Sequence, residues 1–178
     1  MKNPLLLSAL LSTALLSSCS LKSHAPLTTA SKVEVKRYTG LWHENFRLPN
    51  SFQRDDSKAT AQYTLQADGS IKVVNTEIRP DGTTSQAQGT AKAVPDSSNS
   101  RLRVEFNGLA GVFAPNPKEG NYWIIDVAPD YSTALVGTPD RNYLWLLART
   151  PQISKERRGA YVAKAKRLGF PTEKLLFH

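Results

Sequence analysis

The sequence predicts an all-β fold, an eight-stranded antiparallel up-and-down barrel with one C-terminal α-helix packed on its outside. Short runs of alternating apolar and polar residues recur about every ten residues between turn signals, which is typical of sandwiches and barrels. The run at 143–148 is apolar on both faces, so its outer face needs a cover. One helical pattern, at 154–168, follows it directly. Eight antiparallel strands close into a barrel without exposed edges.

The strands follow one another through recognisable turns. In residues 58–65 the alternation places Ala59, Ala61, Tyr63 and Leu65 on one face. Asp68-Gly69 predicts a hairpin turn and Pro80-Asp81-Gly82 another. After a strand that opens at Ile71, further strands are predicted at 86–94, 101–106, 122–127, 131–136 and 143–148. The long loop at 108–120 is rich in Gly and Pro.

The C-terminal segment predicts the helix that covers the last strand. Ser154 is a suitable N-cap, and Gly169 followed by Pro171 ends the pattern. The apolar stripe at helical spacing consists of Tyr161, Val162, Ala165 and Leu168. An apolar tail at 175–177 predicts one more edge strand.

The N-terminus has the organisation of an export signal. Lys2 supplies the positive charge, Leu5 to Leu16 is an apolar run, and small residues lead to Cys19, the only cysteine. The run is shorter than the roughly 20 residues of a spanning helix. Leu16-Ser17-Ser18-Cys19 resembles the bacterial lipobox, which implies lipid attachment at Cys19 and a membrane anchor. The predicted organisation is therefore a lipoprotein signal peptide (1–18), an acylated Cys19 with a flexible tether (19–32), and one domain (33–178). The alternative is an ordinary signal peptide with an incidental cysteine.

Composition excludes several classes of protein. A single cysteine leaves no intramolecular disulfide and no thiolate zinc site, so no metal is predicted. The formal charge is +8, scattered except for the basic segment 155–167. An excess of basic residues is typical of proteins that bind nucleic acid or anionic lipid headgroups. Export from the cytoplasm argues against nucleic acid. A basic face that is only solvated explains the charge as well. The sequence also lacks a Gly-rich phosphate loop and a Gly-x-Ser-x-Gly nucleophile motif.

Three segments carry a family resemblance. Tyr38-Thr39-Gly40-Leu41-Trp42 resembles the lipocalin signature at the start of the first strand, and residues 130–136 resemble the second lipocalin motif. The run from Pro139 to Pro151 resembles the third motif, in the form found in bacterial lipocalins and their apolipoprotein D-like relatives. The resemblance extends over about residues 33–177 and implies the lipocalin barrel. With Ser20 after the lipidated cysteine, it also implies an outer-membrane location, on the periplasmic side.

The resemblance assigns structural roles to Gly40, Trp42 and Arg149 at the closed end of the barrel, where the guanidinium would lie over the indole. If Arg149 points into the barrel, then Tyr143, Trp145 and Leu147 point inward as well, because alternate residues of a strand share a face. Leu144, Leu146 and Ala148 then face the helix. Tyr143 and Trp145 are therefore candidate ligand-binding residues. The other candidates are Tyr122 and Ile124, which share a face of an earlier strand, and Asn75, in the strand that opens at Ile71. The alternative is that these side chains fill the barrel core.

The resemblance implies a membrane-anchored lipid-binding protein that holds a fatty acid or lysophospholipid for lipid storage, transport or envelope maintenance. No catalytic residue and no cofactor is predicted, and the protein is not expected to be an enzyme. His43 and Glu44 are expected at the surface or the barrel rim, since neighbours in a strand face opposite ways. Two alternatives stay open, an isomerase-like lipocalin enzyme and a structural envelope lipoprotein with a filled barrel. A homodimer is compatible with the family but is not decided by the sequence.

Overall fold

The computed structural model describes residues 25–108 and 118–178. In those residues the chain forms a closed antiparallel barrel in the strand order β2-β3-β4-β5-β6-β7-β8-β1, with β1 also paired to β2 and a ninth strand added to β1. The predicted eight-stranded barrel and the extra edge strand are confirmed. The strands are β1 (Gly40–Arg47), β2 (Lys58–Leu65), β3 (Ile71–Ile78), β4 (Thr84–Ala93), β5 (Arg101–Phe106), β6 (Tyr122–Val127), β7 (Thr133–Gly137), β8 (Leu144–Ala148) and β9 (Leu176–Phe177).

The predicted outer helix is confirmed as α2 (Lys155–Arg167). The Ser154 side chain accepts a hydrogen bond from the Arg157 N–H at 3.2 Å, as an N-cap should. Helix α2 buries its apolar stripe on an outer core that includes Leu144 and Leu146 of β8. Parity along β8 was therefore predicted correctly for these two residues, and also for Trp145 and Leu147, which line the cavity inside the barrel.

The two ends of the barrel follow from the connectivity. In an up-and-down barrel the β1–β2, β3–β4, β5–β6 and β7–β8 loops share one end, and the other loops share the opposite end. A short helix, α1 (Val35–Tyr38), precedes β1 and lies at the second end. The inner core gathers there, around Tyr38, Trp42 and Ile124. This end is closed, and the first is the open end.

Residues 25–32 differ from the flexible tether that the sequence predicts. Leu27 is buried in the outer core. The Ala30 N–H donates to the carbonyl of Ile124 at 2.9 Å. The Arg141 guanidinium donates to the carbonyl of Ala25 at 2.6 Å. An apolar side chain among small polar residues gives this segment enough buried surface to pack against the barrel. The predicted signal peptide and Cys19 lie outside the described residues.

Strand β1 contains a bulge that the sequence pattern does not show. Its register with β8 shifts between Glu44 and Phe46. A bulge adds one residue and reverses the inward-outward parity beyond it. Phe46 therefore packs in the outer core instead of beside Trp42, and Arg47 is fully buried.

Candidate functional site

Arg149 seals the closed end. Its guanidinium carbon lies 3.7 Å from the centre of the Trp42 ring. Its Nη1 donates to the Leu41 carbonyl at 2.8 Å, and its Nη2 donates to the Arg37 carbonyl at 2.7 Å. The Trp42 indole N–H donates to the Tyr38 carbonyl at 2.8 Å, so helix α1 is held from both sides.

Gly40 makes room for this contact. Its φ of +103° lies in the left-handed region, and a Cβ there would lie 3.2 Å from Arg149 Nη1. The three residues assigned from the family resemblance therefore form one structural unit at the closed end.

Above this seal lies a cavity of about 200 Å³ inside the barrel. One water needs about 10–15 Å³ on the same measure, so the described part of the barrel is not filled by side chains. The deep wall is apolar, and polar groups become frequent towards the open end. The cavity is lined by the apolar residues Ala59, Ala61, Ile71, Val73, Ala87, Ala91, Leu102, Val104, Val136 and Leu147, the aromatic residues Tyr38, Phe52, Tyr63, Phe106, Tyr122 and Trp145, and the polar residues Glu44, Gln53, Thr60, Asn75, Glu77, Ser85, Gln86 and Asn121.

Three tyrosines form the floor of the cavity. Tyr38 comes from α1, Tyr63 from β2 and Tyr122 from β6. The Tyr122 hydroxyl lies 2.7 Å from the Tyr38 hydroxyl and 3.1 Å from the Tyr63 hydroxyl. Burial raises the pKa of Tyr63 to about 12 and raises the pKa values of the other two well above their usual range. All three hydroxyls are therefore protonated at neutral pH.

Glu44 is the functional residue that sequence reasoning misses. It was expected at the surface or rim, but it is buried, with 6% exposure, and its side chain lines the cavity. Its Oε2 accepts a hydrogen bond from Gln53 Nε2 at 3.0 Å. Gln53 Oε1 in turn accepts from the Trp145 indole N–H at 3.2 Å. Glu44 comes two residues after Trp42 in β1, and the bulge begins only after Glu44. Alternation from the inward-facing Trp42 would therefore have placed Glu44 inside the barrel.

A buried ion pair supports Glu44 from the side away from Gln53. Glu44 Oε1 lies 3.1 Å from Arg47 Nε and 3.0 Å from His178 Nε2. The His178 backbone N–H also donates to the Asn45 carbonyl at 3.1 Å, beyond the point where β9 pairs with β1. Both carboxylate oxygens of Glu44 are thus engaged by protein groups.

Glu77 is the second carboxylate of the cavity, near the open end. The Arg54 backbone N–H donates to its Oε1 at 2.9 Å, and the Ser57 hydroxyl donates to the same oxygen at 2.9 Å. The Ser85 hydroxyl donates to Oε2 at 3.0 Å. These bonds, first that from Arg54, lower the pKa of Glu77, so it carries a negative charge at neutral pH.

The predicted ligand-binding residues fall into three groups. Asn75, Tyr122 and Trp145 line the cavity. Tyr143 stacks on Trp145 with ring centres 5.9 Å apart and planes 3° from parallel, but it is not among the described residues that line the cavity. Ile124 is fully buried in the inner core at the closed end, below the cavity.

Asn75 has an unusual environment among these residues. Its Oδ1 is buried and accepts no hydrogen bond within the part of the chain that the structure describes. An amide oxygen in this position needs a donor from a ligand or from water. Because an acceptor is left open, this wall favours a ligand that brings hydrogen-bond donors.

The described residues contain neither a membrane-spanning helix nor a cluster of metal ligands. Within residues 25–108 and 118–178, no helix is long and apolar enough to cross a membrane. Over the same ranges, no group of three or more His, Cys, Asp or Glu side chains is placed to hold a metal ion.

The chain belongs to the lipocalin family. The lipocalin-like domain matches residues 33–178, which is most of the chain. The outer membrane lipoprotein Blc of Citrobacter freundii is 39% identical over 152 residues, which is 85% of this chain and 81% of that protein. Temperature-induced lipocalin-1 of Arabidopsis thaliana is 40% identical over 146 residues, covering 80% of this chain and 77% of that protein. Rat (Rattus norvegicus) apolipoprotein D is 38% identical over 131 residues, covering 69% of this chain and 64% of that protein.

Solved structures support the same fold at low identity. Apocrustacyanin C2 superposes with a TM-score of 0.62 at 16% identity, covering 81% of this chain and 78% of that chain. Insecticyanin from the tobacco hornworm Manduca sexta gives a TM-score of 0.61 at 15% identity, covering 88% of this chain and 85% of that chain. These likenesses establish the barrel architecture. The class of ligand has to be inferred from the cavity of this chain.

Proposed function

We propose that this protein is an outer-membrane lipocalin, anchored through Cys19, that binds a single-chain amphiphile for lipid storage, transport or envelope maintenance. The observation that carries this proposal is the cavity, which is apolar at depth and polar towards the open end. An acyl chain buried there gains about 0.8 kcal/mol per CH₂. The names of the bacterial relatives, outer membrane lipoproteins, support the location.

The charges of the cavity favour a lysophospholipid over an ionised fatty acid. None of the described residues that line the cavity is Lys or Arg, whereas Glu44 and Glu77 are carboxylates. The sequence of residues 109–117 also contains no Lys or Arg. Arg47 already pairs with Glu44 at 3.1 Å, and Arg79 lies 3.5 Å from Glu77, so in the described part of the cavity a fatty-acid carboxylate would find no cation that is not already paired. An ammonium-bearing headgroup would find the Glu77 carboxylate, which lines the cavity, and the open acceptor of Asn75.

The position of Ala25, where the N-terminal segment joins the barrel, supports a proposal about which end of the barrel lies near the membrane. Ala25 is held by Arg141 of the β7–β8 loop, at the open end of the barrel. Cys19 lies six positions before Ala25. Even fully extended, that length spans about 20 Å. An anchor at Cys19 therefore keeps the open end close to the membrane from which a ligand comes.

We propose binding rather than catalysis, although Glu44 supplies the inward carboxylate that an isomerase-like enzyme would need. Both of its oxygens are already engaged, by Arg47, His178 and Gln53, which suits a supporting role in the wall. Turnover of an acyl substrate that disappears in Glu44→Gln, with ligand binding preserved, would instead favour the enzyme.

The proposal is tested by titrating the delipidated chain carrying Cys19→Ser, which needs no detergent. Trp145 reports on the cavity through its fluorescence. We expect a saturable one-site change with palmitoyl lysophosphatidylethanolamine and at least tenfold weaker binding of palmitate at neutral pH. Trp145→Ala, which removes this reporter, should weaken both when binding is measured by calorimetry. A folded protein that shows no saturable change with either amphiphile contradicts the carrier function.

The charge argument has its own variant. Glu77→Gln removes a cavity carboxylate. We expect it to reduce the ratio of the dissociation constant of palmitate to that of the lysophospholipid. Glu105→Gln is the matched control, because Glu105 is exposed on β5 and pairs with Arg103 at 2.7 Å. If the ratio of the two dissociation constants is unchanged in Glu77→Gln, the Glu77 carboxylate does not interact with the charge of the headgroup.

A further inference from the structure

The three tyrosines at the floor of the cavity have more hydrogen-bond donors than partners. Three phenolic hydroxyls carry three protons. The contacts Tyr38–Tyr122, at 2.7 Å, and Tyr63–Tyr122, at 3.1 Å, use two of them. The described residues offer these hydroxyls no other hydrogen-bond partner, so one O–H proton is left without an acceptor.

The spare donor is buried and faces the cavity. Tyr38 is 1% exposed and Tyr63 is 8% exposed, and both line the cavity together with Tyr122. The Tyr38 and Tyr63 rings stack with centres 5.8 Å apart and planes at 11°, while Tyr122 meets Tyr63 edge-on at 88°. Packing thus fixes the rings and holds the hydroxyls in place. A buried donor that lacks an acceptor costs free energy, and a ligand that supplies one recovers it.

The surroundings of the hydroxyls determine which acceptor fits. The wall next to them is apolar, with Ile71, Leu102 and Val136 among its residues. A carboxylate brought to this depth would need a cation. Arg149, below the floor, already donates to backbone carbonyls and lies on Trp42. Burial disfavours charge at the Tyr38 and Tyr63 hydroxyls more than the attraction of Arg149 favours it, so an anion there would be costly to desolvate, whereas a neutral oxygen would not.

We propose that Tyr38, Tyr63 and Tyr122 form a subsite for a neutral oxygen, a hydroxyl, keto or epoxide group, on the buried part of an acyl chain. The subsite selects oxygenated acyl chains over plain ones. This inference rests on the proposed function, with the headgroup at the open end and the chain directed to the floor.

The test compares lysophosphatidylethanolamines that differ only in the chain. Palmitoyl, 12-hydroxypalmitoyl and 16-hydroxypalmitoyl forms are titrated against the delipidated full chain carrying Cys19→Ser, with Trp145 fluorescence as the signal. A hydroxyl in an apolar cavity without a partner weakens binding, so the sign of the change is informative. We expect at least one hydroxylated form to bind about fivefold or more tightly than the palmitoyl form.

Variants separate the subsite from general packing. The triple variant Tyr38→Phe, Tyr63→Phe and Tyr122→Phe removes all three donors, and it should abolish the advantage of the hydroxylated chain while palmitoyl binding is kept. Tyr122→Phe alone leaves the Tyr38 and Tyr63 hydroxyls without their shared partner, and it should widen that advantage. Tyr161→Phe is the matched control, because Tyr161 lies on α2 outside the barrel and bonds Thr133 at 2.9 Å. Thermal unfolding of each variant checks that it folds. Should the triple variant fail to fold, Tyr122→Phe still tests the subsite through the wider advantage that it should show.

The outcomes distinguish the two proposals. If the palmitoyl form binds and both hydroxylated forms bind equally or more weakly, water satisfies the tyrosines and the subsite is overturned. An advantage that survives in the triple variant, or that Tyr122→Phe fails to widen, also overturns it. If none of the three lipids binds the folded protein, the proposed function fails and the subsite fails with it.

Discussion

At the scale of single residues, the closed end shows how one side chain can organise many backbone groups. Arg149 donates to the carbonyls of Leu41, Arg37 and Thr39 at 2.7–3.0 Å and lies on the Trp42 ring. A planar guanidinium has five donors in fixed directions, which lysine lacks. The family resemblance implies the pair and hydrogen bonds from Arg149 to nearby backbone carbonyls, but it does not say which carbonyls accept, because helix α1 has no clear sequence signal.

Arg149→Met tests this structural role. The variant keeps an apolar side chain over Trp42 but loses the charged donors, and we expect the free energy of unfolding to fall by about 3–5 kcal/mol. Urea unfolding followed by circular dichroism measures the change. Arg103→Met is the control, because Arg103 makes only an exposed pair with Glu105, and it should cost less than about 1 kcal/mol. Similar losses in the two variants would contradict a special role for Arg149.

At the scale of elements, periodicity predicts most of the structure and fails where the chain is irregular. The strands from β2 to β8 and helix α2 lie within a few residues of their predicted positions, because alternation and capping are local signals. The β1 bulge has no such signal. It turns Phe46 outward and Arg47 inward, and the partners of Glu44 follow from it. Leu27 likewise packs through a contact distant in sequence, which a local pattern cannot reveal.

Helix α2 offers two substitutions with opposite expected effects. Ser154→Ala removes the N-cap bond to the Arg157 N–H and should lower the free energy of unfolding by about 1 kcal/mol. Gly159 lies within the helix, and a Cβ there would meet nothing within 4 Å. Gly159→Ala should therefore raise the free energy of unfolding by about 0.5–1 kcal/mol. Urea unfolding of both variants measures the pair, and changes of the same sign would show that α2 does not behave as an independent stabilising element.

At the scale of the whole molecule, the barrel wall and the cavity depend on distant parts of the chain. Strand β9 extends the sheet at β1, and His178 reaches the cavity carboxylate Glu44 from beyond it. Residues 25–30 pack on the outside, and Ala25 meets the β7–β8 loop at the open end. The open end and the entry of the chain into the fold are therefore close to one another, which is an arrangement that would suit exchange of lipid with a membrane if Cys19 carries the proposed anchor.

This arrangement requires that the anchor be lipid attached at Cys19. Cys19→Ser removes the acylation site, and an acyl anchor contributes about 0.8 kcal/mol per buried CH₂. In the described residues no helix is long and apolar enough to cross a membrane. In fractionated cells of an enteric bacterium, we expect the parent chain with the outer membrane and Cys19→Ser in the soluble periplasmic fraction. Ser20→Asp keeps the acylation site, and by analogy with enteric lipoproteins it should move the protein to the inner membrane. Retention of Cys19→Ser in the membrane fraction would contradict the lipid anchor.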